Sequence, residues 1–185
     1  MARRRQIIES AISEFAEHGV DGTSLRTLGQ EIGVSHATLR HYFASRDELL
    51  VEVYRAHEEA EDADHGPHLG AVDIIADSAE RNRSIPGMVR LYASLTTDAL
   101  QEDHSLTQAF VRDRFQKVRD ELAERIRQDQ ACGRIDADID PVDAAALVIA
   151  ASDGLQIQWL LAPDVVDVPR SMAILKRLFP GRTHS

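Results

Sequence analysis

The sequence predicts an all-α protein of about nine helices. Apolar residues recur at spacings of three and four along almost all of the 185 positions, which is the period of a helix buried on one face. No run of strictly alternating apolar and polar residues reaches the length of a strand. Capping residues, prolines and glycines stand where the periodic segments begin and end.

The first three predicted helices are short and closely spaced. Gly19 follows helix one as a C-terminal cap. Thr23 or Ser24 caps helix two, which ends at Gly33, and Ser35 caps helix three. The apolar positions of these helices are Ile7, Ile8, Ala11, Ile12, Phe15, Leu25, Leu28, Ile32, Val34, Leu39 and Phe43.

Helices four to seven are separated by clear breaks. Helix four begins at a capping box, with Ser45 as the N-cap and Glu48 as the third helical residue. Gly66-Pro67 predicts a loop before helix five, and Pro86 suits the first turn of helix six. Helix seven is the longest, from about 105 to 131. The apolar faces of helices four to seven contain Leu49, Leu50, Val53, Tyr54, Leu69, Val72, Ile75, Ala79, Leu91, Leu95, Ala99, Phe115, Val118, Leu122 and Ile126.

The last two helices have strong start and stop signals. Cys132-Gly133 ends helix seven, and Asp140-Pro141-Val142-Asp143 supplies a cap, a proline and an acid for the start of helix eight. Helix eight is apolar on nearly every side in its first half and ends at Pro163. Asp167 caps helix nine, which ends at Pro180-Gly181.

Composition narrows the classes of function. The net charge is −10, but residues 1–46 hold six arginines against five acids, a balance of +1, so the rest carries −11. This asymmetry permits contact with nucleic acid at the N-terminal end. A single cysteine excludes an internal disulfide framework. The longest apolar stretch, 142–161, is interrupted by two aspartates and two glutamines, so we expect no membrane span and a cytoplasmic, soluble protein.

Helices two and three, with the glycine-containing turn between them, have the order of a helix-turn-helix. Its second helix would enter the major groove, with the positions that the core does not need facing outwards. Thr38 and Ser35 can bond phosphates or base edges, Ala37 permits close approach, and Arg40 suits guanine or phosphate. The alternative is that two short amphipathic helices only pack together. The candidate DNA-facing residues are Ser35, His36, Ala37, Thr38, Arg40, His41 and Tyr42, with Thr23, Ser24, Arg26 and Arg46 beside them.

Residues 23–50 resemble the N-terminal domain of the tetracycline-repressor (TetR-like) family. The resemblance depends on Gly33-Val34-Ser35 at the turn, Thr38-Leu39, Tyr42-Phe43, and the segment that opens helix four. Residues 86–92 and 153–163 are similar to segments of one subgroup of these regulators. The chain departs from the usual family pattern at four positions, which are Gly29, Ile32, Ala37 and Arg40.

The resemblance implies an effector-responsive transcriptional regulator, more often a repressor than an activator. Residues 1–46 would be the DNA-binding domain and residues 47–185 a helical effector-binding and dimerisation domain. Two recognition helices must reach successive major grooves, so a homodimer on a palindromic operator in double-stranded DNA is expected, released by an unidentified small molecule. No cofactor, metal site or catalytic residue is indicated, and an enzyme is disfavoured. The alternative function is a helical small-molecule sensor or binding protein with a non-functional helix-turn-helix.

Two further sets of residues are candidates within the second domain. Helix eight has more apolar surface than one monomer face needs, although it is alternatively the central core helix. The dimer-interface candidates are Leu155, Trp159, Leu160, Met172, Leu175 and Phe179. An effector cavity is expected among helices four to eight, although each candidate is alternatively structural or exposed. The cavity candidates are Arg90, Tyr92, Thr96, His104, Phe110, Arg114, Gln156 and Trp159.

Several remaining features each have two interpretations. Arg3, Arg4 and Arg5 lie along phosphates beside the minor groove or belong to a disordered tail. The histidines near position 65 sit among acids, and a solvated loop is favoured over a metal site (His57, His65 and His68). Cys132 has no adjacent base or resolving cysteine, which favours an unreactive thiol. The alternating acids Asp136, Asp138 and Asp140 lack the glycine and the closing glutamate of a calcium loop.

Overall fold

The computed structural model describes residues 2–18, 20, 24–61 and 69–178. In these residues the chain forms nine helices and no strand, which confirms the predicted fold class. The helices are α1 (Ala2–His18), α2 (Leu25–Glu31), α3 (His36–Tyr42), α4 (Arg46–Glu61), α5 (Ala71–Asn82), α6 (Pro86–Asp98), α7 (Ser105–Ala131), α8 (Pro141–Leu161) and α9 (Val168–Leu178).

Side-chain caps begin several of these helices where the sequence predicts them. Ser24 Oγ accepts from the backbone N of Thr27 at 3.4 Å. The Asp140 carboxylate accepts from two backbone N–H groups at the start of α8, at 2.8 and 3.1 Å. Asp167 accepts from the backbone N of Arg170 at 2.9 Å and caps α9. The predicted signals at Gly19, Thr23, Gly66-Pro67 and Pro180-Gly181 lie outside the described residues.

The capping box at the start of α4 differs from the prediction in one detail. Ser45 Oγ accepts from the backbone N of Glu48 at 3.1 Å, as expected. The Glu48 carboxylate reaches back to the backbone N of Ala44, one residue earlier than in the standard box, at 2.6 Å. The segment between α3 and α4 is therefore fixed to the first turn of α4 by two hydrogen bonds.

The chain divides into two units. The first is built from residues 1–63 and 85–112, and the second from 64–84 and 113–185. These units do not divide at the boundary expected after residue 46, because α1 packs against both α4 and α6. The assignment of 1–46 and 47–185 to separate functions stays a prediction.

In the first unit, α6 approaches α1 very closely. A Cβ added to Gly87 would lie 1.8 Å from the carbonyl oxygen of Phe15 and 2.6 Å from that of Ala16. Only a residue without a side chain fits there while the backbone stays in place. The large side chains that are fully buried in this unit are Ile7, Phe15, Leu28, Leu39, Phe43, Leu49, Leu50, Met88, Leu91 and Leu95.

In the second unit, α5, α8 and α9 pack on one another, and α7 adds Leu122 and Ile126 to their core. α7 ends before Gly133, which has the left-handed φ of 71° that favours glycine. The next residue, Arg134, donates to the carboxylate of the buried Asp129 through Nε at 3.0 Å. This ion pair fixes the turn that follows α7.

α8 is more apolar than its sequence interruptions suggest. It is 21 residues long, and an 18-residue window has a mean hydropathy of 1.4, enough to cross a membrane by length and composition alone. The core helix of a soluble protein has the same properties, and α8 places Ala145, Val148 and Ile149 in the core of the second unit. Ser152 and Gln156 are buried polar groups on the same helix.

Candidate nucleic-acid interface

The turn between α2 and α3 is tight. Gly33 adopts a left-handed φ of 66°, and the backbone N of Val34 donates to the carbonyl of Gly29 at 2.7 Å. A Cβ added to Gly29 would lie 2.5 Å from the Val34 carbonyl oxygen. Glycine at position 29, where the resembled family commonly has alanine, therefore accompanies an unusually close approach of the turn to α2.

α3 presents one face to the core and the rest outwards. Leu39 is fully buried, and Phe43, immediately after the helix, is also buried. Ser35 accepts from the backbone N of Thr38 at 3.1 Å and so fixes the first turn. Tyr42 and Thr38 are half-buried, and the exposed residues of this segment are Ser35, His36, Ala37, Arg40 and His41. We call residues 35–42 the recognition surface.

The recognition surface has no acidic residue. Arg40 and His41 lie in the last turn of α3, and the His41 ring meets Tyr42 edge-on at 4.8 Å between ring centroids. Arg26 is exposed on α2, where Glu31 is the one acid within α2 and α3. Together, α2 and α3 carry two arginines and two histidines against one acid. This balance attracts phosphate, although the whole chain is acidic.

The three N-terminal arginines belong to the first turns of α1, so the disordered-tail alternative is wrong. Arg4 Nη2 pairs with Glu52 at 2.8 Å, and its guanidinium lies 5.0 Å from the centre of the Phe43 ring. These contacts engage Arg4 within the chain, and its predicted DNA contact stays a prediction. Arg5 pairs with Glu9 at 2.8 Å on the surface, and the exposed Arg3 reaches Gln6 at 3.4 Å. Arg3 and Arg5 stay candidates for phosphate contacts.

Arg46 is half-buried and paired within the protein. Its Nη1 lies 3.2 Å from Asp98 Oδ2 and 3.8 Å from Asp47 Oδ1. Asp47 Oδ2 in turn lies 2.5 Å from His104 Nδ1. We call these four residues the ionic joint. A DNA contact by Arg46 would break its pairs with two acids, and the predicted contact stays a prediction.

The ionic joint raises the pKa of His104 above its usual 6.5, chiefly through the hydrogen bond to Asp47. The ligand atoms of Asp47, Asp98 and His104 all lie within 4.8 Å of one another, a spacing that suits a metal ion. Arg46 already supplies a positive charge to both acids, so the geometry favours an ion-pair cluster over a metal centre. His104, which was expected in an effector cavity, is hydrogen-bonded to Asp47.

The eight cavity candidates fall into two groups. Tyr92 stacks on Tyr54 at 5.2 Å between ring centroids, and Phe110 meets Tyr54 edge-on at 6.1 Å, so α4, α6 and α7 share an aromatic cluster in the first unit. Arg90 is exposed, and Thr96 donates its hydroxyl to the Ala93 carbonyl at 2.9 Å. Tyr54 is a member of this cluster that sequence reasoning assigned only to the core.

The other cavity candidates belong to the second unit. Gln156 is buried, with its amide bonded to Asn82 at 2.7 Å and to Ser152 at 3.1 Å. Trp159 packs half-buried against the core of this unit. Both ends of the Gln156 amide are bonded within this unit, which favours a structural role, and its place in the cavity stays a prediction. Arg114 is half-buried, and the cavity as a whole stays a prediction.

The dimer-interface candidates are buried or half-buried where the structure describes them, and their role at an interface stays a prediction. Met172 has no exposed surface and belongs to the core of its own unit, while Leu155, Trp159 and Leu175 pack half-buried against that core. Leu160 is half-buried, and Phe179 lies outside the described residues. The large apolar side chains that α8 and α9 expose are different ones: Val142, Leu147, Ile157, Leu161 and Ile174. We call the last four the exposed stripe.

Three further features from the sequence lie wholly or partly within the described residues. Cys132 is exposed, and the carboxylates of Asp136 and Asp140 accept from nearby backbone N–H groups. His57 lies edge-on to Tyr54 at 6.3 Å, and His65 and His68 lie outside the described residues.

In comparisons with known proteins, two family models together match most of the chain. Residues 7–53 match the family described as bacterial regulatory proteins, tetR family, and residues 73–181 match the C-terminal domain described as BetI-type transcriptional repressor. The transcriptional regulator TtgR of Pseudomonas putida is 29% identical over 89% of this chain and 83% of its own length. The transcriptional repressor AcnR of Corynebacterium diphtheriae is 27% identical over 76% of this chain and 72% of its own length.

A solved structure supports the same fold. A TetR transcription regulator from Haloarcula marismortui superposes with a TM-score of 0.74, covering 97% of both chains at 14% identity. At that identity the likeness concerns the fold alone.

Proposed function

Because the chain belongs to the TetR family of bacterial regulatory proteins, we propose that it represses transcription by binding a palindromic operator as a homodimer and leaves the DNA when a small molecule binds. The observation that carries the proposal is the recognition surface. Leu39 anchors α3 in the core, five of the other residues in 35–42 are exposed, and none of the eight is acidic.

Direct readout is assigned to the exposed part of α3. Arg40 is long enough to bond the O6 and N7 atoms of guanine or a phosphate, and Ala37 lets the helix approach the base edges. Ser35 and Thr38 already hydrogen-bond each other at 2.8 Å, which leaves their remaining lone pairs and proton for phosphate. Arg26 on α2, which packs against α3, and Arg3 and Arg5 in the first turns of α1 are further candidates for phosphate contacts.

We assign the dimer interface to the exposed stripe. Leu147 and Leu161 on α8 are 63% and 82% exposed, and Ile174 on α9 is 64% exposed. Four large apolar side chains on two adjacent helices would be costly to leave in water, which favours a second copy as their cover. A two-fold pair gives two recognition helices, and major grooves on one face of DNA lie about 34–36 Å apart.

We assign release from the operator to a small-molecule effector. The effector binds more tightly to a dimer geometry in which the two recognition helices no longer match the spacing of the major grooves. A ligand shifts the balance only by the difference in its affinity for the two geometries. The aromatic cluster of Tyr54, Tyr92 and Phe110 is the best-supported part of the effector wall, because it joins three helices of the first unit. We place the protein in the cytoplasm, where bacterial DNA is accessible.

The proposal is tested by a gel-shift assay with DNA from upstream of the chain's own gene. Salt is lowered to favour phosphate contacts, and a duplex with one half-site scrambled is the matched control. Saturable binding that the scrambled duplex does not compete supports the proposal. Binding to neither duplex, or to both equally, favours a sensor with a non-functional helix-turn-helix. A compound library screened by thermal shift, followed by release from the duplex, then identifies the effector.

A further inference from the structure

The ionic joint ties the start of α4 to two later parts of the chain. Asp98 is the last residue of α6, and His104 directly precedes α7. Arg46 and Asp47 are the first two residues of α4, and each is paired with one of them, at 3.2 and 2.5 Å respectively. All four side chains are half-buried, and His104 keeps 30% of its side chain exposed, so protons reach it from solvent.

The first turn of α4 is mechanically close to the recognition surface. Only residues 43–45 separate Tyr42 from Arg46, and each of them is held by burial or by a hydrogen bond. Phe43 is buried, the backbone N of Ala44 is bonded by Glu48, and Ser45 caps α4. A tilt of the first turn of α4 therefore passes directly to α3.

We infer that Asp98 and His104 are positioning residues for operator binding, which set the tilt of α3 by holding Arg46 and Asp47, and that this hold weakens when His104 loses its positive charge. The inference depends on the proposed DNA binding and adds to it a pair of residues outside the helix-turn-helix and a sensitivity to pH.

The charge balance of the joint gives the direction of the effect. With His104 protonated, two cations (Arg46 and His104) face two anions (Asp47 and Asp98). With His104 neutral, Arg46 alone faces both carboxylates. The charged groups that act on His104 are Asp47 and Asp98, which favour its protonated form, and Arg46, which opposes it. A rise in pH therefore loosens the start of α4, and operator affinity falls.

The test measures operator affinity by fluorescence anisotropy from pH 6 to pH 9, with EDTA present to remove metal ions. Each variant is compared with wild type at the same pH, so that changes common to all of them over this range cancel. His104→Asn keeps a donor near Asp47 without a charge, and His104→Lys keeps the charge throughout the range. His57→Asn is the matched control, because His57 lies on α4 away from the joint.

We expect the ratio of wild-type affinity to His104→Asn affinity to fall by about threefold or more as the pH rises. A tenfold fall would correspond to a difference of one unit between the pKa of His104 in the operator-bound protein and in the free protein. His104→Lys should bind more tightly than wild type at pH 9, and His57→Asn should follow the wild-type profile. Parallel profiles for wild type, His104→Asn and His104→Lys would overturn this inference alone. No binding at any pH would overturn the proposed function as well.

Asp98→Asn supplies a second, independent variant. It removes the acid that holds Arg46 while it leaves the Asp47–His104 pair in place. Weaker operator binding at every pH, with the melting temperature still well above the assay temperature, supports a positioning role. Unchanged operator affinity would contradict the role of Asp98.

Discussion

Asn82 and Gln156 are 74 positions apart in the sequence, and Asn82 Nδ2 donates to Gln156 Oε1 at 2.7 Å. The Nε2 group of Gln156 donates to Ser152 Oγ at 3.1 Å. This chain of hydrogen bonds joins α5 to α8 inside the second unit. A buried amide that is bonded at both ends specifies how two helices meet, and it is costly to leave half-bonded.

Replacing Gln156 with leucine should lower the free energy of unfolding by about 1–3 kcal/mol, because the Asn82 amide is left without its acceptor. The double variant Asn82→Ala with Gln156→Ala should lose less than the sum of the single variants, since the partners share one hydrogen bond. Urea unfolding measures both, with Gln116→Ala, an exposed glutamine on α7, as the control. Strict additivity would contradict the network.

The Asp47–His104 pair makes stability depend on pH. The pKa of His104 is raised above 6.5 in the folded chain, so the folded state binds the proton more tightly than the unfolded state. The stabilisation is fully present below pH 6.5 and is lost as the pH rises through the raised pKa. Denaturant unfolding of wild type and His104→Asn between pH 5.5 and 9 should therefore show a difference that shrinks with pH. A difference that grows with pH has the wrong sign for this pair.

Replacing Arg40 with alanine should weaken operator binding without changing the dimer. If Arg40 bonds a base, the loss is about 1–3 kcal/mol and depends on the base at one position. If it bonds a phosphate, the variant loses affinity for all sequences alike, and the slope of log affinity against log salt concentration falls by about one. Anisotropy at several salt concentrations separates these cases, with Arg90→Ala as the control for loss of an exposed arginine on α6. Full affinity in Arg40→Ala would remove this residue from the interface.

Placing a charge in the exposed stripe should separate the dimer. Leu147→Glu and Ile157→Glu put carboxylates where we propose that two copies of α8 meet, and an unpaired buried charge is strongly unfavourable. Sedimentation velocity should give a monomer for both variants, and operator binding should be lost with the second recognition helix. Leu100→Glu, at an apolar position that is 84% exposed outside the second unit, is the control and should stay dimeric. A dimer that survives both stripe variants would place the interface elsewhere.

Local signals were sufficient to predict the helices. Ser35, Asp140 and Asp167 cap the helices that they were expected to cap, because a cap depends on hydrogen bonds within three residues. The outward face of α3 was also predictable, since Leu39 is the apolar position of a short helix and the polar residues around it have no place in the core.

The orientation of α8 and the long-range pairs were not predictable. α8 is apolar on nearly every side, so periodicity does not separate the buried Val148 from the exposed Leu147. On α9 the pattern does not tell whether the apolar face meets its own core or a second copy, so Met172 was assigned to an interface, whereas Ile174 is the exposed residue. Arg46 and Asp98 are 52 positions apart, and no local pattern brings them together. These pairings depend on how helices meet in three dimensions.

Hydroxyl-radical footprinting on the DNA upstream of the chain's own gene tests the central claim most directly. A homodimer that presents two copies of the recognition surface should protect two stretches on one face of the duplex, about 10 base pairs apart centre to centre or a near multiple of that, and related as an inverted repeat. Protection should disappear in Leu147→Glu. No protection at low salt, or protection without inverted symmetry, would contradict the account.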